Sequence, residues 1–419
     1  MGRVWEVVAP RRFGSGFRWL IASSWSSNLG DGIALAAGPL LVASLTHDPI
    51  LVAAAAFLQW LPPLVFGLLA GALADRLDRR LIIVTVDLLR AFVLVLLALV
   101  VATDLAAIWV VLLALFLLGT AEVFADNTAA TLMPMLVHRD DLAAANSRLT
   151  TGFITVNQLA GPPIGAALFA AGHAVPFAAQ AAVVALGAVL VSRVALPPHR
   201  REVAPDTRLR HALLRDVAEA FGWTVRNPAV RTLVMTIFVF NITFGAAWSV
   251  LVLYATQRLG MGPIGFGLLT TVSAVGGLLG TLSYPWITRH VSLGDLMRLG
   301  LLVETFTMLS LAVTTRAWVA MGIFFVFGAH AFIWGTTSLT IRQRAVPSEL
   351  QGRVGSVNLV GVYGGLVLGS GIGGVIAQRW GVTAPFWFAF VGSAVFVVLI
   401  WRQLVHIAHT DQSDAPAPA

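Results

Sequence analysis

The sequence predicts an all-α membrane protein with twelve transmembrane helices, arranged as two pseudo-symmetric six-helix bundles. Three observations support this fold class. Of the 419 residues, 58% are apolar and only 11% are charged, which is typical of chains that fold in lipid rather than in water. The apolar residues form twelve long runs, and short patterns of the first half recur about half a chain later.

Each apolar run is long enough to cross a bilayer. A helix that crosses about 30 Å of hydrocarbon needs roughly 20 mostly apolar residues, and helices satisfy their own backbone hydrogen bonds in lipid. The runs are too long and too uninterrupted for barrel strands. The predicted spans, numbered first to twelfth, are 17–45, 50–74, 81–102, 105–136, 142–171, 174–196, 229–257, 262–287, 295–314, 316–341, 352–378 and 383–405.

The arginines predict the orientation in the membrane. The chain has 27 arginines and no lysine. Most of the arginines lie in loops that the order of the twelve spans places on one side of the membrane. Only Arg258, Arg316 and Arg379 fall on the other side. Because positive loops stay in the cytoplasm, we expect a multi-pass protein of the bacterial inner membrane with both termini cytoplasmic. The first apolar run lacks a cleavage site and is expected to be a retained span.

The chain is predicted to divide into four segments. Residues 1–196 and 229–406 form the two six-helix bundles, and residues 407–419 form a disordered cytoplasmic tail. Residues 197–228 form a cytoplasmic connector, in which LLRDVAEAFGWTV predicts an amphipathic helix on the membrane face. The connector arginines either hold anionic lipid or belong to a solvated linker.

An internal repeat supports the division into halves. The pattern GPPIGAALFAAG at 161–172 resembles GSGIGGVIAQRWG at 369–381, which begins 208 residues later. The loop after the second span contains Asp75 and Arg76, and the loop after the eighth contains Thr288 and Arg289, 213 residues further on. Duplicated six-helix halves are typical of secondary transporters.

The loop between the second and third spans contains an ordered motif, GALADRLDRRLII. Its glycine is expected to permit close helix approach, and its first aspartate to accept hydrogen bonds at a helix N-terminus. The motif resembles the cytoplasmic loop signature of the major facilitator superfamily, except that Asp78 replaces a glycine. The resemblance implies a conformational role for Gly71, Asp75, Arg76, Arg79 and Arg80.

The fifth span contains a second motif, in NQLAGPPIGAALF. Gly161, Pro162 and Gly165 resemble the Gly-Pro-x-x-Gly motif of the antiporter branch of that superfamily, which implies efflux rather than uptake. Asn157 and Ala166 depart from the motif, since glycines are usual there. Small residues and proline at this spacing predict either a hinge or plain close helix packing.

Four further segments resemble one particular branch of the superfamily. They are SNLGDGIALAAGPLLV, VDLLRAF, TLMPMLVHRDDLAAANSRL and RQRAVPSELQGRVGSV. They resemble the bacterial branch that contains macrolide-efflux and enterobactin-export proteins. That branch exports several chemistries, so membership does not define the substrate.

Ionisable residues at membrane depth are costly and are therefore candidate functional groups. Asp31 lies near the middle of the first span, and Glu122 and Asp126 share one face of the fourth. The resemblance implies that the first, fourth, seventh and tenth spans line a central cavity, which favours these carboxylates as proton or cation sites. Three polar residues are expected on the face of Asp31, namely Ser24, Ser27 and Asn28.

Three other ionisable residues lie at similar depth. Arg90 either pairs with a cavity carboxylate or forms a lateral salt bridge with Asp87, three residues before it. The resemblance places Arg90 and Glu304 on peripheral spans, which favours structural roles for both. His330 on the tenth span is either a proton-path residue or a buried histidine bonded to a carbonyl.

Aromatic and amide side chains on the cavity spans are candidate substrate contacts, because aromatic rings stack on flat or cationic ligands. Lipid or core contact is the alternative for each. The candidates are Trp25, Phe124, Asn241, Phe244, Trp248 and Trp334.

These observations predict a proton-coupled exporter of lipophilic or cationic drugs or secondary metabolites, rather than an enzyme. The chain has no cysteine and no zinc-protease, serine-hydrolase or Walker A motif, so no cofactor or metal is expected. We expect a monomer whose partners are a small-molecule substrate, protons and membrane lipids, with no nucleic acid. The alternatives are a siderophore or specific-metabolite exporter, an uptake symporter, or a transport-inactive sensor.

Overall fold

Helices make up nearly all of the described chain, which in the computed structural model comprises residues 8–74, 77–195 and 209–404. Within these ranges, eleven helices are long and apolar enough to cross a membrane, and the helix Ala384–Ile400 is a shorter twelfth. The prediction of an all-α, twelve-span membrane protein is therefore confirmed.

The first six spans begin and end close to their predicted limits. The fifth is built of three consecutive helical segments, and the others are single α-helices. Their bounds are Gly14–Leu45, Pro49–Ala74, Arg79–Ala102, Ile108–Leu136, then Leu142–Gly152 with Phe153–Ala160 and Gly161–Ala171, and Val175–Ser192.

The last six spans follow a connector helix, Leu209–Arg226. The seventh span ends at Trp248, nine residues before its predicted limit, and a turn at Ser249 and Val250 follows it. Short helices Leu251–Leu253 and Tyr254–Arg258 follow. The six spans are Pro228–Trp248, Pro263–His290, Leu293–Val313, Ala317–Ala345, Gln351–Trp380 and Ala384–Ile400.

The middle of the fifth span is a π-helix, Phe153–Ala160. Its last turn closes through the N–H of Gly161, which donates to the carbonyl of Val156, five residues earlier. Pro162 and Pro163 follow directly and have no N–H to donate. The α-helical hydrogen-bond pattern therefore cannot pass through this point, and π-helical turns in such places often accompany functional sites.

The glycines of the fifth span pack against the first span without intervening side chains. A Cβ atom on Gly161 would overlap the backbone of Gly32, and a Cβ on Gly165 would lie 2.9 Å from the Cα of Ile33. Such distances leave room for hydrogen alone. Close packing is thus one established role of this motif, and small residues at helix interfaces in membranes commonly serve it.

The second half repeats this packing between the eleventh and seventh spans. A Cβ on Gly369 would lie 2.9 Å from the amide nitrogen of Ala246, and a Cβ on Gly373 would lie 2.7 Å from its Cα. Gly369 and Gly373 each follow Gly161 and Gly165 by 208 residues. The repeat visible in the sequence therefore has the same structural role in each half.

The contacts divide the chain into two units. The first takes its residues from Met1–His47, Leu58–Ala204 and Met261–Thr271, and the second from Asp48–Phe57, Pro205–Gly260 and Val272–Ala419. The start of the second span thus belongs with the second unit, and the start of the eighth with the first. The segment limits predicted from the sequence, 196 and 228, stay a prediction.

Matching small residues pack at these two exchanged segments. In the first unit, a Cβ on Gly267 would lie 2.6 Å from the Cβ of Ala166. In the second unit, a Cβ on Gly374 would lie 2.7 Å from the Cβ of Ala53. Ala166 and Gly374 are again 208 residues apart, so each unit accepts its exchanged helix start at an equivalent position.

The connector helix packs against the second unit. Glu219 forms an ion pair with Arg353 at 3.2 Å, and Trp223 packs beside the buried Val230 and Val354. Phe221 on the same helix is 59% exposed. An exposed aromatic residue beside charged ones agrees with the amphipathic pattern expected of this segment.

Candidate functional site

Arginines of the loop motif join the ends of three spans. Arg79 donates through Nε to the carbonyl of Ala74 at 3.1 Å, and through Nη1 to the sulfur of Met135 at 2.7 Å. Arg80 donates to the carbonyl of Val194 at 3.3 Å. The second, fourth and sixth spans are thereby connected to the start of the third.

The departure of this motif from the superfamily signature has a local explanation. The Asp78 carboxylate accepts a hydrogen bond from the amide of Leu81 and caps the third span, a role that glycine fills less well. At Gly71, the expected close helix approach is absent, because a Cβ there would have no described atom within 4 Å. Asp75 and Arg76 lie outside the described residues.

Arg90 is the centre of a buried charge cluster in the first unit. Its guanidinium donates to Asp31 on the first span and, at 3.2 Å, to Asp87 on its own span. The side chains of Arg90, Asp87 and Asp31 are only 3%, 2% and 12% exposed. The two sequence alternatives for Arg90 therefore both occur, since it pairs with its neighbour and with a carboxylate of the first span.

Two carboxylates of the fourth span complete this cluster. Glu122 and Asp126 both lie within electrostatic range of Arg90 and Asp31. Glu122 is partly buried, whereas Asp126 is exposed. We call Asp31, Asp87, Arg90, Glu122 and Asp126 the Arg90 cluster.

The polar residues predicted beside Asp31 separate into two stripes. The amide of Asn28 donates to the carbonyl and hydroxyl of Ser24, at 2.7 and 3.2 Å, and both share the face of Asp31. Ser27 packs instead against the sixth span, where a Cβ on Gly187 would lie 2.6 Å from its hydroxyl. The sixth span therefore covers the side of this face on which Ser27 lies.

Two predicted cavity aromatics of the first unit pack against neighbouring helices. The indole of Trp25 lies directly on Gly152 of the fifth span, where no side chain fits, beside a buried apolar cluster. Phe124 lies 6.3 Å, between ring centroids, from Phe66 of the second span. Helix packing, the alternative left open for each, thus accounts for their positions.

The seventh and tenth spans form an aromatic cluster in the second unit. Phe244 and Trp248 stack at 4.4 Å, and Phe244 also stacks on Phe327 at 5.8 Å. Trp248 lies 5.2 Å from Phe324. We call Phe244, Trp248, Phe324 and Phe327 the aromatic cluster.

Half of this cluster was missed by sequence reasoning. Phe324, Phe327 and His330 follow one another at intervals of three residues, so one face of the tenth span presents all three. That periodicity was the available signal. Phe244 and Trp248 on the seventh span, four residues apart, were predicted and are present in the cluster.

The remaining predicted residues of the second unit lie around this cluster. The amide of Asn241 donates to the carbonyl of Ile237 at 2.7 Å, within its own helix. Trp334 packs against Gly300 of the ninth span. His330 is not solitary, because its Nε2 lies 3.7 Å from a carboxylate oxygen of Glu304; Glu304 therefore has an ionisable partner rather than only a packing role.

Comparison with known proteins identifies the family. The family model described as transmembrane secretion effector matches residues 7–418. The chain is 30% identical over 393 residues to the multidrug efflux pump Tap of Mycolicibacterium fortuitum, covering 88% of this chain and 90% of Tap. It is 22% identical to macrolide efflux protein A of Streptococcus pyogenes, covering 85% and 87%.

A solved structure shares the fold. A variant of the nucleoside transporter NupG superposes with a TM-score of 0.73 at 13% identity, covering 93% of this chain and all of that one. The fold, the loop motif and the family match agree with one another, and they describe a membrane transporter rather than an enzyme. The chain belongs to the transmembrane secretion effector family of the major facilitator superfamily.

Proposed function

We propose that this transporter exports lipophilic or cationic drugs or secondary metabolites in exchange for protons. The observation that carries the proposal is the Arg90 cluster, in which a buried guanidinium bonds Asp31 and Asp87 at mid-span and has Glu122 and Asp126 within electrostatic range. A charge in this environment is expensive, so ionisable residues are kept there mainly for function.

The composition of the cluster supports proton exchange. If all five groups were charged, the carboxylates would outnumber the guanidinium by three, and low dielectric makes such repulsion strong. Proton binding relieves it. We assign the exchanged proton to Asp31, because its protonation ends the ion pair with Arg90 and leaves the guanidinium to Asp87 and to the carboxylates of the fourth span.

The packing of the first span offers a way to link this exchange to conformation. Asp31 directly precedes Gly32, whose backbone lies against Gly161 at the end of the π-helical segment. A change in the Asp31 ion pair therefore acts next to the direct backbone contact between the first and fifth spans. In the proposed cycle of alternating access, this contact is where proton binding biases the conformation.

The substrate class is supported by the aromatic cluster and by the relatives. Stacked rings bind flat, lipophilic or cationic ligands, and both curated relatives are named as efflux proteins. We place the protein in the bacterial cytoplasmic membrane with both termini in the cytoplasm, from the arginine distribution. We further propose that it acts as a monomer.

Energised inside-out vesicles provide the test. Tetraphenylphosphonium, a lipophilic cation without a titratable proton, should accumulate in vesicles that contain the protein when their lumen is acidified. Accumulation should stop when the pH gradient is collapsed. The variant Asp31→Asn should insert normally and lose the gradient-driven accumulation.

A matched control is available in the loop between the third and fourth spans. Asp104 is exposed and has φ of +56°, which asparagine adopts readily, so Asp104→Asn should transport like the wild type. Equal gradient-driven transport by Asp31→Asn would overturn the coupling role. Accumulation only in right-side-out vesicles would overturn the direction and favour an uptake symporter.

A further inference from the structure

The second unit contains an ionisable pair that the proposed site does not use. Nε2 of His330 on the tenth span lies 3.7 Å from Oε2 of Glu304 on the ninth. The two side chains are only 7% and 12% exposed. The separation is longer than a direct hydrogen bond and suits an interaction that changes with the protonation of either partner.

Both residues lie at the middle of their spans. Glu304 is the twelfth residue of the helix Leu293–Val313, and His330 is the fourteenth of Ala317–Ala345. Ionisable groups at such depth are functional candidates whose partner should be identified. Here each has the other as its partner.

The ninth span is shaped to receive the histidine ring. A Cβ on Gly300, one turn before Glu304, would lie 3.0 Å from Cε1 and 3.2 Å from Nδ1 of His330. The ring therefore lies against bare backbone, with Glu304 at its other nitrogen. Trp334, one turn after His330, covers the same glycine, and its buried Nε1 has no hydrogen-bond partner among the described residues.

Other charges on the surrounding helices lie near the helix ends. Arg298 on the ninth span bonds Asp295 at 3.4 Å and is six residues, or about 9 Å, along the helix from Glu304. On the tenth span, Arg342 is twelve residues from His330, about 18 Å. The remaining groups on the neighbouring spans are Arg231, Tyr284, Arg289, His290 and Arg344, and the described helix Ala384–Ile400 contributes none. At the far end of the ninth span, the hydroxyl of Tyr254 donates to the carbonyl of Leu311, and Arg258 donates to those of Val313 and Thr314.

Tyr284 of the eighth span contacts the tenth span. Its hydroxyl accepts a hydrogen bond from Thr337 at 3.3 Å, two turns beyond His330. It therefore has a partner of its own away from the pair. Charge at mid-span in this part of the second unit is confined to Glu304 and His330 among the described residues.

The pair occupies the positions that correspond to charged residues of the first unit. Glu304 follows Arg90 by 214 residues, and His330 follows Glu122 by 208, close to the 208 and 213 residues that separate the repeated motifs. At these corresponding positions, the third and fourth spans of each half have one basic and one acidic group. Their order is reversed between the halves.

We propose that Glu304 and His330 together form a second proton-binding site. Binding one proton makes the pair neutral, and losing it makes the pair anionic. With a proton shared, a glutamate–imidazolium ion pair or a neutral acid and imidazole has no net charge. Without it, the buried carboxylate is uncompensated, which a low-dielectric site disfavours.

The site adjoins the aromatic cluster. The ring of His330 lies edge-on to Phe327 at 6.1 Å, and Phe327 stacks on Phe244. A proton on the pair therefore changes the charge next to the surface that we assign to substrate. This consequence rests on the proposed function, whereas proton binding by the pair does not.

Infrared difference spectroscopy on the full-length protein in nanodiscs tests proton binding directly. Spectra are recorded between about pH 5 and pH 8, the range in which imidazole side chains ordinarily change their charge. The wild type should show carboxyl and imidazole bands from the pair. Glu304→Gln should remove the carboxyl band and shift the pH midpoint of the imidazole band. His330→Gln should remove the imidazole band and shift the pH midpoint of the carboxyl band, because the charge of each group acts on the other.

Two further variants keep the result decisive. Glu219→Gln makes the same change at an exposed glutamate and should retain both bands. Glu304→Asp keeps the acid and should restore the carboxyl band if the glutamine variant folds poorly. A variant that removes one band and leaves the pH midpoint of the partner's band unchanged would overturn the shared site. Transport by Asp31→Asn is measured separately, so failure of the proposed function is distinguishable from failure of the second proton-binding site.

Discussion

Gly161 of the fifth span packs against Gly32 of the first so closely that a Cβ atom on either residue would overlap the backbone of the other. Gly32 directly follows Asp31, whose carboxylate pairs with Arg90. The motif glycines of the fifth span and the charge cluster are therefore neighbours along one helix. A single contact joins the close-packed helix pair to the buried ion pair.

Gly161→Ala should destabilise the protein. The added methyl group would force the first and fifth spans apart, and overpacking of this kind costs about 1–3 kcal/mol. We expect a clear fall in the apparent melting temperature of the purified protein. Gly371→Ala on the eleventh span is the control, because a Cβ there has open space; equal melting temperatures for the two variants would contradict the packing argument.

Arg90→Leu should destabilise the first unit more than any single loss of a carboxylate. Removing the guanidinium leaves Asp31 and Asp87 buried without a counter-charge, which costs about 3–5 kcal/mol. Adding Asp31→Asn to Arg90→Leu should recover part of the loss in melting temperature. If the double variant is no more stable than Arg90→Leu, the ion pair does not contribute as the geometry indicates.

Arg79→Lys should loosen the loop motif although it keeps the charge. Arg79 reaches Ala74 and Met135 through two different nitrogens, and a single ammonium cannot reproduce that fork. Hydrogen exchange should increase at the ends of the second and fourth spans. Arg289→Lys, at the end of the eighth span, is the control, and exchange that rises equally in both variants would argue against the double contact.

Trp248→Ala should weaken binding of a lipophilic cation such as tetraphenylphosphonium. Loss of one stacked ring removes roughly 0.5–1.5 kcal/mol, so the dissociation constant should increase about two- to tenfold. Equilibrium binding to the purified protein measures this change. Trp318→Ala, at a tryptophan that is 71% exposed, should bind normally; matching affinities for both variants would remove the aromatic cluster from the substrate site.

Local sequence patterns predicted most of the fold. Apolar run length located the helices to within a few residues, because a bilayer imposes a minimum length on every span. The glycine patterns at Gly161 and Gly369 also revealed the repeat before any contact was known. The break at Ser249 was missed, because the apolar run continues through it and hydropathy alone does not mark the end of a helix.

By itself, the sequence determined the class of protein, its twelve spans, its superfamily and the individual ionisable residues at membrane depth. Such residues are easily recognised, because a charge in lipid is costly and therefore rare within a long apolar run. Only the tertiary structure decided which of them meet. Arg90 with Asp31, and Glu304 with His330, are 59 and 26 residues apart, and helical periodicity relates residues of one helix but not of two. The rotation of each packed helix about its axis sets these pairs, and it depends on the glycine contacts and ring packing of the whole bundle.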